Sequence, residues 1–275
     1  MKYLVLGSAG QIGSALTSYL GKKGHEVLTF DMVDDPQEDA RIHNNPILEE
    51  KIKNADYVYF LLFDVGGSRY LSKYQNTHDF VHNNTKIVHN VIELLKKHNK
   101  KFIFASSQMS SMSFSNYGLL KRLGEVYTKF LDGLVVKFWN VYGLEKDLDK
   151  AHVITDLILK AKNEGKITLL TSGTESRQFL HADDCSECLY ILSQKHDEIP
   201  KDQELHITTF EWTPVLDIAN IIAEELGGVP VHPNADAVDE VQKGTKNEPD
   251  QFILKYWQPK IGIREGIKEI IKQME

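Results

Sequence analysis

The chain has 275 residues, 41% of them hydrophobic, and a formal charge of 32 − 39 = −7. That length allows one large domain or a domain with an added lobe, and the apolar content is ample for a core. The acidic balance disfavours partners such as nucleic acid and anionic membrane, and no apolar run approaches the ~20 residues of a membrane span.

The chain opens on an apolar run, residues 3–6, that stops at Gly7. Gly10 and Gly13 follow at three-residue spacing, then apolar positions at Ile12, Ala15, Leu16, Tyr19 and Leu20. The pattern predicts a strand, a tight turn and a helix over 12–23 that ends at Gly24. A sharp turn needs positions free of Cβ clash, and a helix N-terminus attracts a diphosphate. Gly7, Gly10, Gln11, Ile12 and Gly13 are therefore candidate cofactor contacts, with Gly13 letting the helix lie close to the strand. With a strand this near the first residue there is no signal-peptide pattern, so a cytoplasmic location is expected. A second strand, 26–30, ends in Asp31. An acid there accepts both hydroxyls of an adenosine ribose and repels a 2′-phosphate, which points to NAD rather than NADP as cofactor.

A polar stretch, 32–46, reads as loop, and 48–52 as a short helix. Residues 57–63 are uniformly apolar, as in a strand covered on both faces, and Asp64-Val-Gly-Gly67 closes them. A long amphipathic helix is expected over 76–98, a strand over 102–105, a serine-rich loop over 106–115, a helix over 117–131 and a strand over 134–138. This alternation specifies an α/β fold with a doubly wound parallel sheet of the Rossmann type. Beyond Gly143 the pattern loosens. Helix 152–163, strand 167–170, a turn at 172–174, strand 178–181 and helix 184–194 come first. Then follow a helix opened by Thr213-Pro214 as N-cap and first residue, a loop over 229–250 and a last helix over 263–273. The expected division is an NAD-binding domain at 1–140, with 178–210 packing back onto it, and a smaller α/β substrate-binding lobe at 141–275. The only cysteines, Cys185 and Cys188, lack further zinc ligands at suitable spacing and read as core thiols on one helix face; no metal is expected.

Tyr117 and Lys121 stand at i and i+4, on one helical face. An ammonium near a phenol favours phenolate, so Tyr117 is a candidate general base for a sugar hydroxyl during hydride transfer. Ser106 and Ser107 lie at the end of the preceding strand, where open α/β sheets place their ligands, and a serine there can hydrogen-bond the reacting oxygen.

Together, Gly7-x-x-Gly10-x-x-Gly13, the run from Phe104 to Ser107, and Tyr117-x-x-x-Lys121 resemble the extended short-chain dehydrogenase/reductases that act on nucleotide sugars. The resemblance continues through Lys137-Phe-Trp-Asn140-Val-Tyr-Gly143, Arg177-Gln-Phe-Leu-His181 and the closing Trp257-x-Pro259. Asp64 to Gly67, with Asn83, Asn84 and Thr85, locally resemble the GDP-mannose 3,5-epimerases. The resemblance implies that Ser107, Tyr117 and Lys121 are catalytic, that Lys121 also touches NAD, and that the substrate is a nucleotide sugar. It implies that Asn140 and Arg177 contact that substrate. Lys243, before Gly244, stands in for a phosphate-binding arginine usual in the family's C-terminal loop. A homodimer built on helices 76–98 and 117–131 is the expected assembly.

The departures narrow the reaction. Gln108-Met109 occupy the places where relatives that remove water carry Asp-Glu, and Met109 falls where the 3,5-epimerases carry cysteine. Leu62 and Phe63 replace small residues beside the nicotinamide site, and Asp39 and Arg41 lie near the expected adenine. The simplest chemistry left is epimerisation, with C4 as the reacting carbon, by an NAD-dependent isomerase or oxidoreductase. The alternatives are a ketosugar reductase or sugar dehydrogenase, and a non-catalytic NAD-binding regulatory protein.

Overall fold

The computed structural model describes residues 1–131, 133–145, 147–237, 239, 241–243 and 246–274. Apolar runs and capped helices alternate from the start: β1 (Lys2–Leu6), α1 (Gln11–Lys22), β2 (Glu26–Phe30), α2 (Pro46–Asn54), β3 (Tyr57–Phe60), α3 (Ser68–Tyr74), α4 (His78–Lys97), β4 (Phe102–Ser107), α5 (Asn116–Phe130) and β5 (Leu134–Phe138). The caps are local and read from the residues. The Asn45 side chain accepts from the N–H groups of Ile47 and Leu48 with Pro46 first in the helix, while Thr77 and Ser115 accept from Phe80 and Gly118. After these come β6 (Asn140–Tyr142), α6 (Val153–Glu164), β7 (Ile167–Thr168), β8 (Ser176–Arg177), β9 (Phe179–His181), α7 (Ala182–Gln194), β10 (Leu205–Ile207), β11 (Thr213–Pro214), α8 (Val215–Glu225), β12 (Val231–His232) and α9 (Ile263–Gln273).

Six strands form one parallel sheet in the order β10-β5-β4-β3-β1-β2. Because β1 lies between β2 and β3, the chain leaves it in one direction and returns on its other side. That reversal opens a crevice beyond the C-terminal end of β1, the place where such sheets bind ligands. One face of the sheet is buried with α1 and α7 through Tyr3, Val5, Leu16, Leu20, Tyr59 and Leu189. The other is buried with α2 and α4 through Leu4, Leu6, Leu48, Val88, Val91 and Phe104. Burial on both faces is why these strands lack polar alternation. A third cluster joins α6, α8 and α9 through Ile154, Ile158, Ile218, Ile222, Ile267 and Ile270.

The differences from the sequence reading have local causes. The sixth strand, β10, is three residues long, too short to show a period. The run expected as strand 57–63 pairs only to Phe60; the Leu61 N–H still bonds Leu6 O at 3.0 Å, after which the chain turns into the crevice. Thr213 does not cap α8, because Thr213-Pro214 pairs antiparallel with Ser176-Arg177, which leaves Pro214 at the cap position without a side-chain bond. A 3-10 turn at Gln108–Ser111 lies where loop was expected, and helix α3 occupies a stretch to which the sequence reading assigned no element. Cys185 and Cys188 are fully buried, unbonded thiols in α7, and burial pushes both thiols above their ordinary range. No helix among the described residues is long and apolar enough to cross a membrane.

Candidate active site

The C-terminal ends of β1, β3, β4 and β5 open on one cleft of about 600 Å³. Gly7, Gly10, Gln11, Ile12, Gly13 and Asp31 line one end of it. Gly7 has φ +88°, and a Cβ added to Gly13 would lie 2.0 Å from Gly7 O, so this turn closes only with glycine at both places. The first turn of α1 has neither a side-chain cap nor an acid, which leaves its positive end to the cleft. Asp31 is buried, its two carboxylate oxygens accepting the N–H groups of Ala9 and Val33, each at 3.0 Å. A carboxylate has about four acceptor sites, so capacity for ribose hydroxyls remains. Behind it, Glu38 accepts from the Asp31 N–H at 2.8 Å and pairs with Lys51. Asp39 and Arg41 line the same end and pair with each other at 2.8 Å. A glycine cradle, an uncapped helix end and a strand-tip acid fit a dinucleotide.

Ser107, Tyr117 and Lys121 line the middle of the cleft. A Cβ on Gly118 would lie 2.1 Å from Met109 O, so the start of α5 is pressed onto the 3-10 turn after β4. That contact sets Tyr117 beside Ser107, whose Oγ also accepts from the Met109 N–H at 3.2 Å. Lys121 Nζ donates to Ala105 O at 2.7 Å and lies 3.8 Å from the centre of the Phe63 ring. The electrostatics differ from the expectation that Lys121 lowers the Tyr117 pKa. Burial pushes the Tyr117 phenol up to about 12, opposed by its hydrogen bond with Ser107. Burial holds the Lys121 ammonium down to about 7, opposed by Glu125. The spacing brought the pair to one face, but desolvation is the largest cause of both shifts, and neither group figures in the other's.

Asn140 lines the cleft, its N–H bonded to Gln178 O at 3.2 Å. Arg177 and Lys243 do not line it. Arg177 donates to Asp239 and to Ser176 O, so it has the acidic partner that the sequence did not reveal; Lys243 Nζ stands 5.1 Å from the Phe114 ring centre. Gly244 lies outside the described residues.

A polar lip on the same cleft was not read from the sequence. Phe63 packs edge-on against Tyr117, their ring centres 5.8 Å apart. Next to it, Asp64 accepts from Tyr70 at 2.8 Å and Lys150 at 3.1 Å, and its carboxyl is held below the usual range by these donors against the effect of burial. His152 and Glu145 line the cleft beside Lys150. The available signal was Asp64 beside the paired glycines; Glu145, Lys150 and His152 sit in a loop without periodicity.

A family model described as the NAD dependent epimerase/dehydratase family matches residues 3–208. A Methanocaldococcus jannaschii protein provisionally named UDP-glucose 4-epimerase is 25% identical, with 99% of this chain and 98% of that protein covered. An epimerase structure from Methanothermobacter thermautotrophicus superposes with a TM-score of 0.86 at 20% identity, covering 98% of this chain and 91% of that one. The UDP-glucose 4-epimerase of Thermotoga maritima, solved with UDP-glucose, superposes with a TM-score of 0.81 at 20% identity over 100% of both chains.

Proposed function

The chain belongs to the NAD-dependent epimerase/dehydratase family, and on that premise we propose that it transfers hydride between NAD and one carbon, C4, of a nucleoside-diphosphate sugar. The observation that carries this reading is the convergence of Ser107, Tyr117 and Lys121 on the cleft that also holds the glycine cradle. NAD, when bound, supplies the hydride acceptor and donor. Gly7, Gly10, Gln11, Ile12 and Gly13 hold its diphosphate and Asp31 its adenosine ribose. Tyr117 Oη exchanges the proton of the sugar oxygen, Ser107 Oγ orients that oxygen, and Lys121 Nζ holds the nicotinamide ribose. Asn140 contacts the substrate. Arg177 reaches the substrate diphosphate by exchanging Asp239 for phosphate, with Lys243 adding charge nearby. Residues after 140, apart from 178–210, form the sugar side. Two chains associate through α4 and α5.

One observation favours a second reading, ketosugar reduction. The phenol of Tyr117, pushed up to about 12, rests as a proton donor, which is what an incoming ketone requires. A purely regulatory NAD-binding protein has no use for this trio. The test is native mass spectrometry for retained NAD. Assays follow with UDP-glucose, UDP-galactose and GDP-mannose for epimers and for NADH, and with their 4-keto derivatives for reduction. Epimer formation supports the first reading and ketone reduction the second. Retained NAD without turnover on any of them overturns both in favour of the regulatory one.

A further inference from the structure

Apart from the cleft, the structure holds a small hollow of about 40 Å³ where α4 meets the polar loop after β2. His43 from the loop, and His89 and Glu93 from the helix, line it together with Asn90. His89 and Glu93 stand at i and i+4, neighbours on one face of α4. The side chains of His43, His89 and Glu93 are exposed and, among the described residues, none of the three has a hydrogen bond or ion pair. Two imidazoles and a carboxylate are the donor set of a zinc site whose fourth position takes water. Imidazole donors favour zinc and neighbouring transition metals, whereas calcium and magnesium want oxygen shells. Roughly 10–15 Å³ of such space holds one water, so the hollow has room for an ion and its water. The three donor groups do not meet at one point as they stand. Being exposed, each turns about its own side-chain bonds.

A tighter cluster elsewhere is less suited to an ion. His181, Asp183 and Glu269 have donor atoms within 4.8 Å of one another. However, His181 Nδ1 accepts from the Asp183 N–H at 3.2 Å, so the neutral ring carries its proton on Nε2. That is the nitrogen facing Glu269 at 4.0 Å, and a protonated nitrogen has no lone pair for a metal. The hollow on α4 has no such conflict, and it is tied to the nucleotide end of the cleft. Asn90, next to His89, donates from Nδ2 to Ala40 O at 2.8 Å, and Asn45 Nδ2 donates to Asp39 O at 3.1 Å. Asp39, Ala40 and Arg41 line the cleft alongside Asp31. Residues 39–45 thus run from the cofactor end to the hollow.

We propose that His43, His89 and Glu93 bind one divalent transition-metal ion, zinc by the chemistry of the donors, and that this ion fastens residues 39–45 to α4 and so tightens NAD binding. The ion takes no part in hydride transfer. It joins a loop to a helix at the back of the wall that the adenosine end of NAD leans on. Linkage makes the effect mutual, so NAD tightens zinc by the same factor as zinc tightens NAD. The coupling rests on the NAD site assigned above; the ion site itself does not.

The experiment titrates the full, tag-free, metal-free chain with zinc chloride by calorimetry, with magnesium and calcium chloride as controls. One zinc per chain is expected, and neither control ion should bind there. His43→Ala, His89→Ala and Glu93→Gln should each weaken zinc by at least the ~10-fold that loss of an outer-shell partner costs a metal site. All three positions are exposed, so folding should survive, which the melting temperature of the metal-free variants checks. His78→Ala/His82→Ala, which removes the other exposed histidine pair of α4, should leave zinc binding unchanged. NADH titration of nucleotide-free protein should then tighten ~5-fold with saturating zinc in the wild type and not in His89→Ala. No zinc bound at submillimolar concentration, or binding unchanged in a folded His43→Ala/His89→Ala variant, overturns the site. NADH affinity indifferent to zinc in the wild type overturns the coupling. The reaction proposed above fails separately: zinc-tightened NADH binding without turnover of any sugar removes that reaction and leaves the ion, and turnover without zinc binding does the reverse.

Discussion

The two walls of the cleft are made in opposite ways. Ser107, Tyr117 and Lys121 belong to β4 and α5, where close backbone contact and burial fix each side chain. Asp64, Glu145, Lys150 and His152 belong to loops joined mainly by polar pairs, several of them half exposed. Burial drives the pKa values of Tyr117 and Lys121 in the first wall away from their ordinary range, and on the proposed function that wall serves a single proton at a fixed place. The second wall leaves Lys150 and His152 partly exposed and covers Glu145 and most of Asp64. On the proposed function, regular elements hold the hydride-transfer step, and loops hold groups free to differ between substrates.

Breaking the first wall should have the largest effect. Tyr117→Phe removes only a hydroxyl, so folding and NAD binding should persist while turnover falls ~10²–10⁴-fold. Steady-state rates on whichever sugar is turned over, with circular dichroism as a control, check this. Wild-type turnover with chemistry rate-limiting would remove Tyr117 from the mechanism.

The difference between the walls also explains what could be read from the residues. The glycine spacing, Asp31 and the Tyr–Lys spacing are local patterns, and the structure brings Gly7, Gly13, Asp31, Ser107, Tyr117 and Lys121 to one cleft. The sheet was legible for the same reason, because strands buried on both faces are continuous apolar runs. β10 was not, since three residues carry no period. The lip was not, because it depends on pairs distant in sequence: Asp64 with Lys150, and Gly67 with Ala151. Arg177 looked free for phosphate because Asp239 is 62 positions away. The pKa directions at Tyr117 and Lys121 escaped as well, since spacing says which groups are neighbours and nothing about how dry they are.

A smaller effect sharpens the comparison at the nucleotide end. Asp31→Asn keeps the shape and part of the hydrogen bonding but removes the charge. NADH affinity should drop roughly tenfold, the scale of one charge-assisted hydrogen bond, and NADPH should gain relative to NADH. Calorimetric titration with both cofactors measures the change; tighter NADPH than NADH binding by the wild type would remove Asp31 as the selector.

The outer face of the first wall offers a related test. Leu119, Leu123, Val126 and Phe130 are exposed on α5, Phe130 to 82%. If α4 and α5 meet their copies there, Phe130→Glu should weaken self-association about tenfold without affecting the melting temperature of the dissociated chain. Sedimentation at micromolar concentration reads this, and a wild-type monomer would leave that face without a partner copy.

The smallest expected effect concerns the cost of burying Lys121. Below about pH 7 its amine is protonated in the folded and the unfolded chain alike, and the fold bears the full cost of a buried ammonium. Between that pH and the ordinary lysine value near 10.4, the unfolded chain holds a proton that the folded chain lacks. Unfolding then takes up a proton, so stability rises with pH, by up to about 1.4 kcal/mol per unit. The Tyr117 phenol does not cancel this, because its pKa, pushed up to about 12, makes stability fall only above the ordinary tyrosine value near 10. Lys121→Met should therefore flatten the rise in melting temperature between pH 7 and 10, whatever it does to absolute stability through loss of the bond to Ala105 O. Parallel pH profiles for wild type and variant, without NAD, would show that the lysine stays charged in its buried place and that its pairing with Tyr117 outweighs desolvation after all.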